Sequence, residues 1–183
     1  NILASSANCN EVIRIFAGTL SSLAEGEMLQ LQKASSGDTV EEDYYRIIYS
    51  KTASLFEAAF VSAAISVNAP ADCIEAVRDY AVSLGIAFQI KDDIFDYSDG
   101  KKIGKPVGID LEEQKITLPL LGALAAASPE RAKQIRGMVL DILEHPEYKE
   151  EIVGFVKEGK GIEYAVSRLE DYVSKAVDAL AVL

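Results

Sequence analysis

Tryptophan is absent from this 183-residue sequence, histidine occurs once, and cysteine twice. The one histidine, His145, stands in a His-Pro-Glu turn, which suits a surface residue better than a catalytic base. Cys9 and Cys73 lie far apart and make no metal-ligand spacing, so free thiols in a reducing compartment are expected. Long apolar runs are missing too. The longest, Ala58 to Val67, falls well short of the roughly 20 residues that cross a bilayer, so no transmembrane segment is expected. The chain opens at Asn1 without a secretory signal pattern, and a soluble, cytoplasmic protein is the expectation. Modest glycine and proline exclude fibrous and disordered classes. Positive charge is in deficit: 18 Lys and Arg against 29 Asp and Glu leave a net −11. Such a surface repels nucleic acid and anionic lipid, so an anionic ligand must be met by local cations or a metal ion.

What is present is apolar residue, 49% of the chain, enough for the core of one domain, with abundant alanine that favours helix. Apolar positions recur at helical spacing almost everywhere. Val12, Phe16, Leu20, Leu23 and Leu31 mark a first helix ending near Lys33. After the break at Ser35-Ser36-Gly37-Asp38, Thr39 to Glu42 resembles a capping box and opens a long helix to about Val67. A third helix spans about Asp72 to Tyr97, followed by a loop from Asp99 to Lys115. Ile116 to Ala126, a helix capped by Ser128 with Pro129 in its first turn, Glu147 to Lys157, and Ile162 to Leu183 complete the set. No strand pattern competes. Long helices with short connections predict a large antiparallel bundle, whose core can house a polar site.

The third helix carries the strongest chemistry. At 100° per residue, Gln89, Asp92, Asp93 and Asp96 fall within an arc of about 100°. Ile86, Phe88, Ile90, Ile94 and Phe95 cover most of the rest, which predicts a buried helix with one polar stripe facing a cavity. Carboxylates this close repel one another, and a divalent cation relieves the repulsion. Dense hard oxygen ligands suit Mg²⁺; the alternating spacing of a calcium hand is missing. A solvated acidic face is the bland alternative. Lys51 shares a stripe with Ile47, Ile48, Leu55 and Ala58, and either snorkels to water or is held in a cavity to meet an anion; spacing leaves both open. Thr52 beside it offers a hydroxyl. The loop holds Lys101, Lys102, Lys105 and Lys115, with Gly104 and Gly108 allowing close backbone approach to a ligand. It lacks the order of a Walker loop, and a surface turn is its plainer reading. Glu27 and Gln30 stand one turn apart on the first helix, able to line one cavity.

In combination these segments resemble the trans-type polyprenyl diphosphate synthase family. Phe88-Gln89-x-x-Asp92-Asp93-x-x-Asp96 looks like its second aspartate-rich motif, and Lys51-Thr52-Ala53 like its helix bearing an active-site lysine. Gly104-Lys105-Pro-x-Gly-x-Asp110, then Lys115-x-Thr-Leu-Pro119, looks like the loop that follows the motif. Ala24-Glu-Gly-Glu27-x-x-Gln30-Leu is similar to the corresponding segment of octaprenyl-type members. The resemblance covers essentially the whole chain. It implies an all-α isoprenoid-synthase bundle of which residues 1–183 form the C-terminal part of a single domain, with the N-terminal helices missing. It implies an enzyme in which an allylic diphosphate, bound through Mg²⁺, ionises and is attacked by isopentenyl diphosphate. On that reading Asp92 is a direct Mg²⁺ ligand, with Asp93 and Asp96 supporting the metal. Lys51 and Lys105 grip the diphosphate with Lys115 and Asp110 nearby, Thr52 and Gln89 flank the forming cation, and Phe88, Glu27 and Gln30 line the pocket. Members of the family are usually homodimers.

The sequence departs from the family pattern twice. Gln114 stands where many members have glycine before the lysine, and no first aspartate-rich motif lies between Asn1 and Gly85. The chain is therefore expected to be inactive by itself. Competing readings are a non-catalytic subunit of a heteromeric prenyl synthase, a class I terpene cyclase, whose second metal motif would carry Asn, Ser and Glu, and a structural metal-binding bundle. Mg²⁺-dependent diphosphate binding separates the last from the others.

Overall fold

The chain is all helix across residues 10–97 and 108–182, the parts that the computed structural model describes. Helix α1 spans Asn10–Ser36, three residues beyond the expected end at Lys33. Helix α2, Glu41–Ile48, runs into a π-helical segment, Tyr49–Ala53, and continues as α3, Ser54–Ser66. The expected uninterrupted helix is thus broken by one wide turn. The expected Thr39 capping box is also corrected. Val40 is the N-cap, and Asp43 takes the Glu role, accepting from the Val40 N–H at 3.2 Å. Valine has no acceptor to return the bond, so the box is half made. Asn68, in the left-handed region at φ 53°, closes α3, and Pro70 leads into α4, Ala71–Asp96. The loop that follows contains a short helix, α5, Ile109–Glu112, which the sequence pattern does not announce. Then come α6 (Leu118–Ala126), α7 (Pro129–Leu140), α8 (Tyr148–Glu158) and α9 (Gly161–Ala179). Ser128 caps α7 as expected, its Oγ accepting from the Arg131 N–H.

Helix α4 is the axis of the bundle. It packs most extensively on α9 and on α3, and touches the π segment as well. Its Ile86, Ile90 and Ile94 join Tyr97, Leu118, Leu120 and Ile135 in one continuous core. The helix is not buried all round, however. Phe88 is 56% exposed and lies against Phe56 at 5.6 Å between ring centroids. Ile90 and Ile94 lie within the core, whereas Phe88 stays more than half exposed despite its contact with Phe56 of α3.

Two glycines bring neighbouring helices onto the π segment. A Cβ on Gly26 of α1 would sit 2.6 Å from Ser50 Cβ and 2.9 Å from Lys51 Cγ. A Cβ on Gly85 of α4 would sit 2.6 Å from the Ala53 Cα. The wide turn is therefore gripped from both sides at close range. Gly85→Ala is expected to cost about 2–3 kcal/mol of stability, since backbone rather than a flexible side chain blocks the new methyl. Urea unfolding checks it; a variant as stable as the parent would show that α4 can slide away.

Candidate active site

The π segment places its side chains where an α-helix would not. One extra residue per turn rotates Lys51 and Thr52 out of phase with the apolar stripe of α2, and π turns are found often at functional sites. Leu55, expected on the same stripe, ends 48% exposed, while Lys51 turns into a cavity of about 250 Å³. Lys51 lines that cavity with its side chain 28% exposed. Its walls come from α1 (Gln30, Lys33), from α2 and the π segment (Tyr44, Lys51, Thr52), from α4 (Gln89, Asp92, Asp93), and from the segment before α6 (Asp110, Lys115, Thr117).

A line of hydrogen bonds crosses this wall. Thr52 Oγ1 donates to Gln89 Oε1 at 2.8 Å, Gln89 Nε2 donates to Asp93 Oδ1 at 2.9 Å, and Tyr44 OH donates to Asp93 Oδ2 at 2.7 Å. Both oxygens of Asp93 are thus held, and the residue is 3% exposed. Burial pushes its carboxyl up to about 7; the Tyr44 and Gln89 hydrogen bonds pull it down, and the charges of Asp110 and Asp92 push it up again. Tyr44, itself buried and facing that carboxylate, is held well above the ordinary phenol range. Lys51 Nζ meets Gln30 Oε1 at 2.9 Å and Glu27 Oε2 at 2.5 Å. Lys115 Nζ meets Asp110 at 3.1 Å and Glu113 at 2.5 Å. Burial works to lower the Lys115 ammonium, but its two carboxylate partners outweigh it and the net shift is upward.

Among the described residues, no group of three or more Asp, Glu, His or Cys side chains converges into a metal cage. Asp92, Asp93 and Asp110 nonetheless line one cavity, which Lys33, Lys51 and Lys115 also line. That donor set fits Mg²⁺, which takes one or two carboxylates and completes its shell with water and phosphate oxygens, better than an ion needing an all-protein cage.

The polyprenyl synthetase family model matches residues 1–156. The chain belongs to the polyprenyl synthetase family. It is 40% identical over 177 residues to the octaprenyl diphosphate synthase of Haemophilus influenzae, covering 94% of this chain and 53% of that protein. The fold superposes on the geranylgeranyl pyrophosphate synthase of Bacteroides thetaiotaomicron with a TM-score of 0.90 at 41% identity, covering 100% of this chain and 60% of that one. It superposes equally on a polyprenyl synthase of Caulobacter crescentus, complexed with calcium and isoprenyl diphosphate, with a TM-score of 0.88 at 34% identity, covering 98% and 55%. The chain spans about half the length of the curated relatives it matches.

Within this polyprenyl synthetase chain, the residues singled out by sequence are not all used alike. Gln89, Asp92, Asp93, Lys51, Thr52, Gln30, Asp110 and Lys115 share the cavity wall. Glu27 reaches Lys51 from the rim, and Phe88 points elsewhere, onto Phe56. Asp96 turns to the backbone: its oxygens accept from the Ile109 N–H at 3.0 Å and the Asp110 N–H at 3.2 Å, satisfying the open first turn of α5. Burial raises its pKa, and those backbone donors oppose the rise. Lys105 lies outside the described residues. Gln114 adopts the left-handed backbone a glycine would favour, φ 57°, and its side-chain amide donates to the Leu140 carbonyl at 2.5 Å, so the turn before Lys115 survives the change from glycine. Tyr44, Lys33 and Thr117 are additions that periodicity could not supply. Tyr44 reads as a core aromatic until its partner, 49 residues away, is known.

Proposed function

We propose that the protein is a trans-polyprenyl diphosphate synthase, transferring the prenyl chain of an allylic diphosphate to isopentenyl diphosphate with the help of Mg²⁺. The observation that supports this reading best is the single cavity whose wall carries Lys51, Lys115, Asp92 and Asp93 together with Thr52 and Gln89. Lys51 and Lys115, with Lys105, grip the departing diphosphate as the allylic C–O bond breaks, an electrostatic assistance typical of preorganised sites. Thr52 sends its hydroxyl proton to Gln89 and so keeps its oxygen lone pairs for the allylic cation. The isopentenyl double bond then forms the new C–C bond, and a proton is lost. Ile47, Ile48 and Ile116 supply apolar wall that excludes water from the cation. Asp92 would hold Mg²⁺ directly, Asp93 would steady Asp92's neighbourhood through Tyr44 and Gln89, and Asp96 would keep α5 and Asp110 in register. Bound Mg²⁺ supplies charge neutralisation for the leaving diphosphate.

The free thiol of Cys73 speaks for a reducing, cytoplasmic location, and no described helix is long and apolar enough to cross a membrane. The exposed stripe Ile13, Leu20, Met28 and Leu31 along α1 speaks for a homodimer face. The test is turnover of farnesyl diphosphate and labelled isopentenyl diphosphate in Mg²⁺, by this chain and by any longer natural protein that contains it. Labelled polyprenyl product that falls by about 10²–10³ in Asp92→Ala supports the reading. No product from any form sinks it.

A further inference from the structure

We propose that Glu27 is a positioning residue that competes with substrate: it neutralises Lys51 while the cavity is empty and must be displaced by an incoming diphosphate, so it sets how tightly that group is held and how readily it leaves. The inference rests on reading Lys51 as a diphosphate grip.

The three lysines on the cavity wall all have carboxylate partners, but the partners differ in kind. Asp43, which meets Lys33 at 2.8 Å, also accepts the Val40 N–H. Asp110, which meets Lys115, sits in a backbone knot: its N–H goes to Asp96 and its carbonyl accepts from the Lys115 N–H at 2.8 Å. Lys33 and Lys115 each also meet an exposed second acid, Asp38 and Glu113, but Asp43 and Asp110 are built in. Glu27 is not. It reaches Lys51 from a different helix, its side chain is 50% exposed, and no second partner holds it among the described residues. Gly26, beside it, is what allows α1 close enough for the contact, since any Cβ there would strike Ser50 and Lys51. Gln30, one turn on, holds the ammonium from inside the cavity, so Lys51 stays aimed when Glu27 swings away. A side chain with water on one side and a lysine on the other can leave at little cost. The lysine, its side chain 28% exposed, cannot, because its stem is packed under α1.

The experiment is calorimetric titration of the chain with inorganic diphosphate in MgCl₂ for the parent, Glu27→Gln, Glu27→Asp, Lys51→Ala and the double variant Glu27→Gln/Lys51→Ala. An exposed pair of this kind should move the dissociation constant about two- to fivefold, so Glu27→Gln binds that much more tightly. Glu27→Asp keeps the charge and stays near the parent. Adding Glu27→Gln to Lys51→Ala changes nothing. High salt shrinks the gain. Equal or weaker binding by Glu27→Gln, or a gain that persists without Lys51, overturns the inference while leaving the diphosphate site standing. If no form binds diphosphate, the reading of the cavity falls and this inference falls with it.

Discussion

Asp93→Asn is expected to make the metal-free chain more stable at pH 8, by as much as about 4 kcal/mol. The ordinary aspartate value of 3.8 is raised to about 7 by burial, and about three units correspond to roughly 4 kcal/mol at 1.36 kcal/mol each. The sign follows from proton counting. Between pH 4 and pH 7 the folded chain binds a proton at Asp93 that the unfolded chain has lost, so stability falls as pH rises. The stabilising protonated form is complete below pH 4 and gone above pH 7. Tyr44, Gln89, Asp92 and Asp110 are the groups that set this value, and none of them supplies a full counter-charge. Asparagine fits without orphaning a partner. Its oxygen accepts from Tyr44, and Gln89 flips so that its oxygen meets the new amide while its nitrogen donates to the Thr52 hydroxyl, which can accept. Urea unfolding in EDTA from pH 4 to pH 8 should show the two proteins converging at pH 4 and separating as pH rises. A variant no more stable than the parent at pH 8 would mean that the buried carboxylate is better compensated than its contacts suggest. With MgCl₂ at pH 8 the parent should gain stability and the variant much less, which links the strain to the metal. Such a cost carried at a functional position is a familiar form of the exchange between stability and activity.

Deleting Ser50 is expected to weaken diphosphate binding at least about tenfold while leaving the helix content intact. The π segment holds one residue more than an α-helix needs, and that residue carries the change of phase between α2 and α3. Its removal lets Tyr44, Ile47 and Ile48 on one side and Ala58 and Val61 on the other keep their buried places. Lys51 then follows Tyr49 directly, shifted by about 1.5 Å along the axis and rotated by tens of degrees. It loses Gln30 and Glu27 together, and Thr52 loses Gln89. Circular dichroism should remain near that of the parent, and Mg²⁺-dependent diphosphate affinity should drop at least about tenfold, the loss of a charge-assisted contact of roughly 1.5–3 kcal/mol. Unchanged affinity would show that the lysine reaches its place without the wide turn.

Much of this architecture is written in short-range pattern. The helices from α6 onward and the polar stripe on α4 follow from spacing, because 3.6 residues per turn converts position into direction wherever the helix is regular. The serine cap of α7 follows from local chemistry in the same way. Spacing fails where a side chain has two acceptable uses and a distant element chooses between them. Asp96 belongs to the acidic stripe by angle, yet α5 offers it two unsatisfied backbone N–H groups, and a carboxylate meets these at low cost. Phe88 belongs to the apolar arc by angle, yet α3 covers it only in part, through Phe56. Tyr44 looks like core and becomes the hydrogen-bond donor of a buried carboxylate only because α2 crosses α4 at Asp93. The π turn leaves no mark in the composition of Tyr49-Ser-Lys-Thr-Ala53. Gly26 and Gly85 let two helices close on that stretch, and contacts between residues so far apart in the chain exist only once the bundle has assembled. Helices and their polar faces were thus set locally, residue by residue. Which of those faces meet, and so which lysine, carboxylate and hydroxyl share one cavity, came from packing.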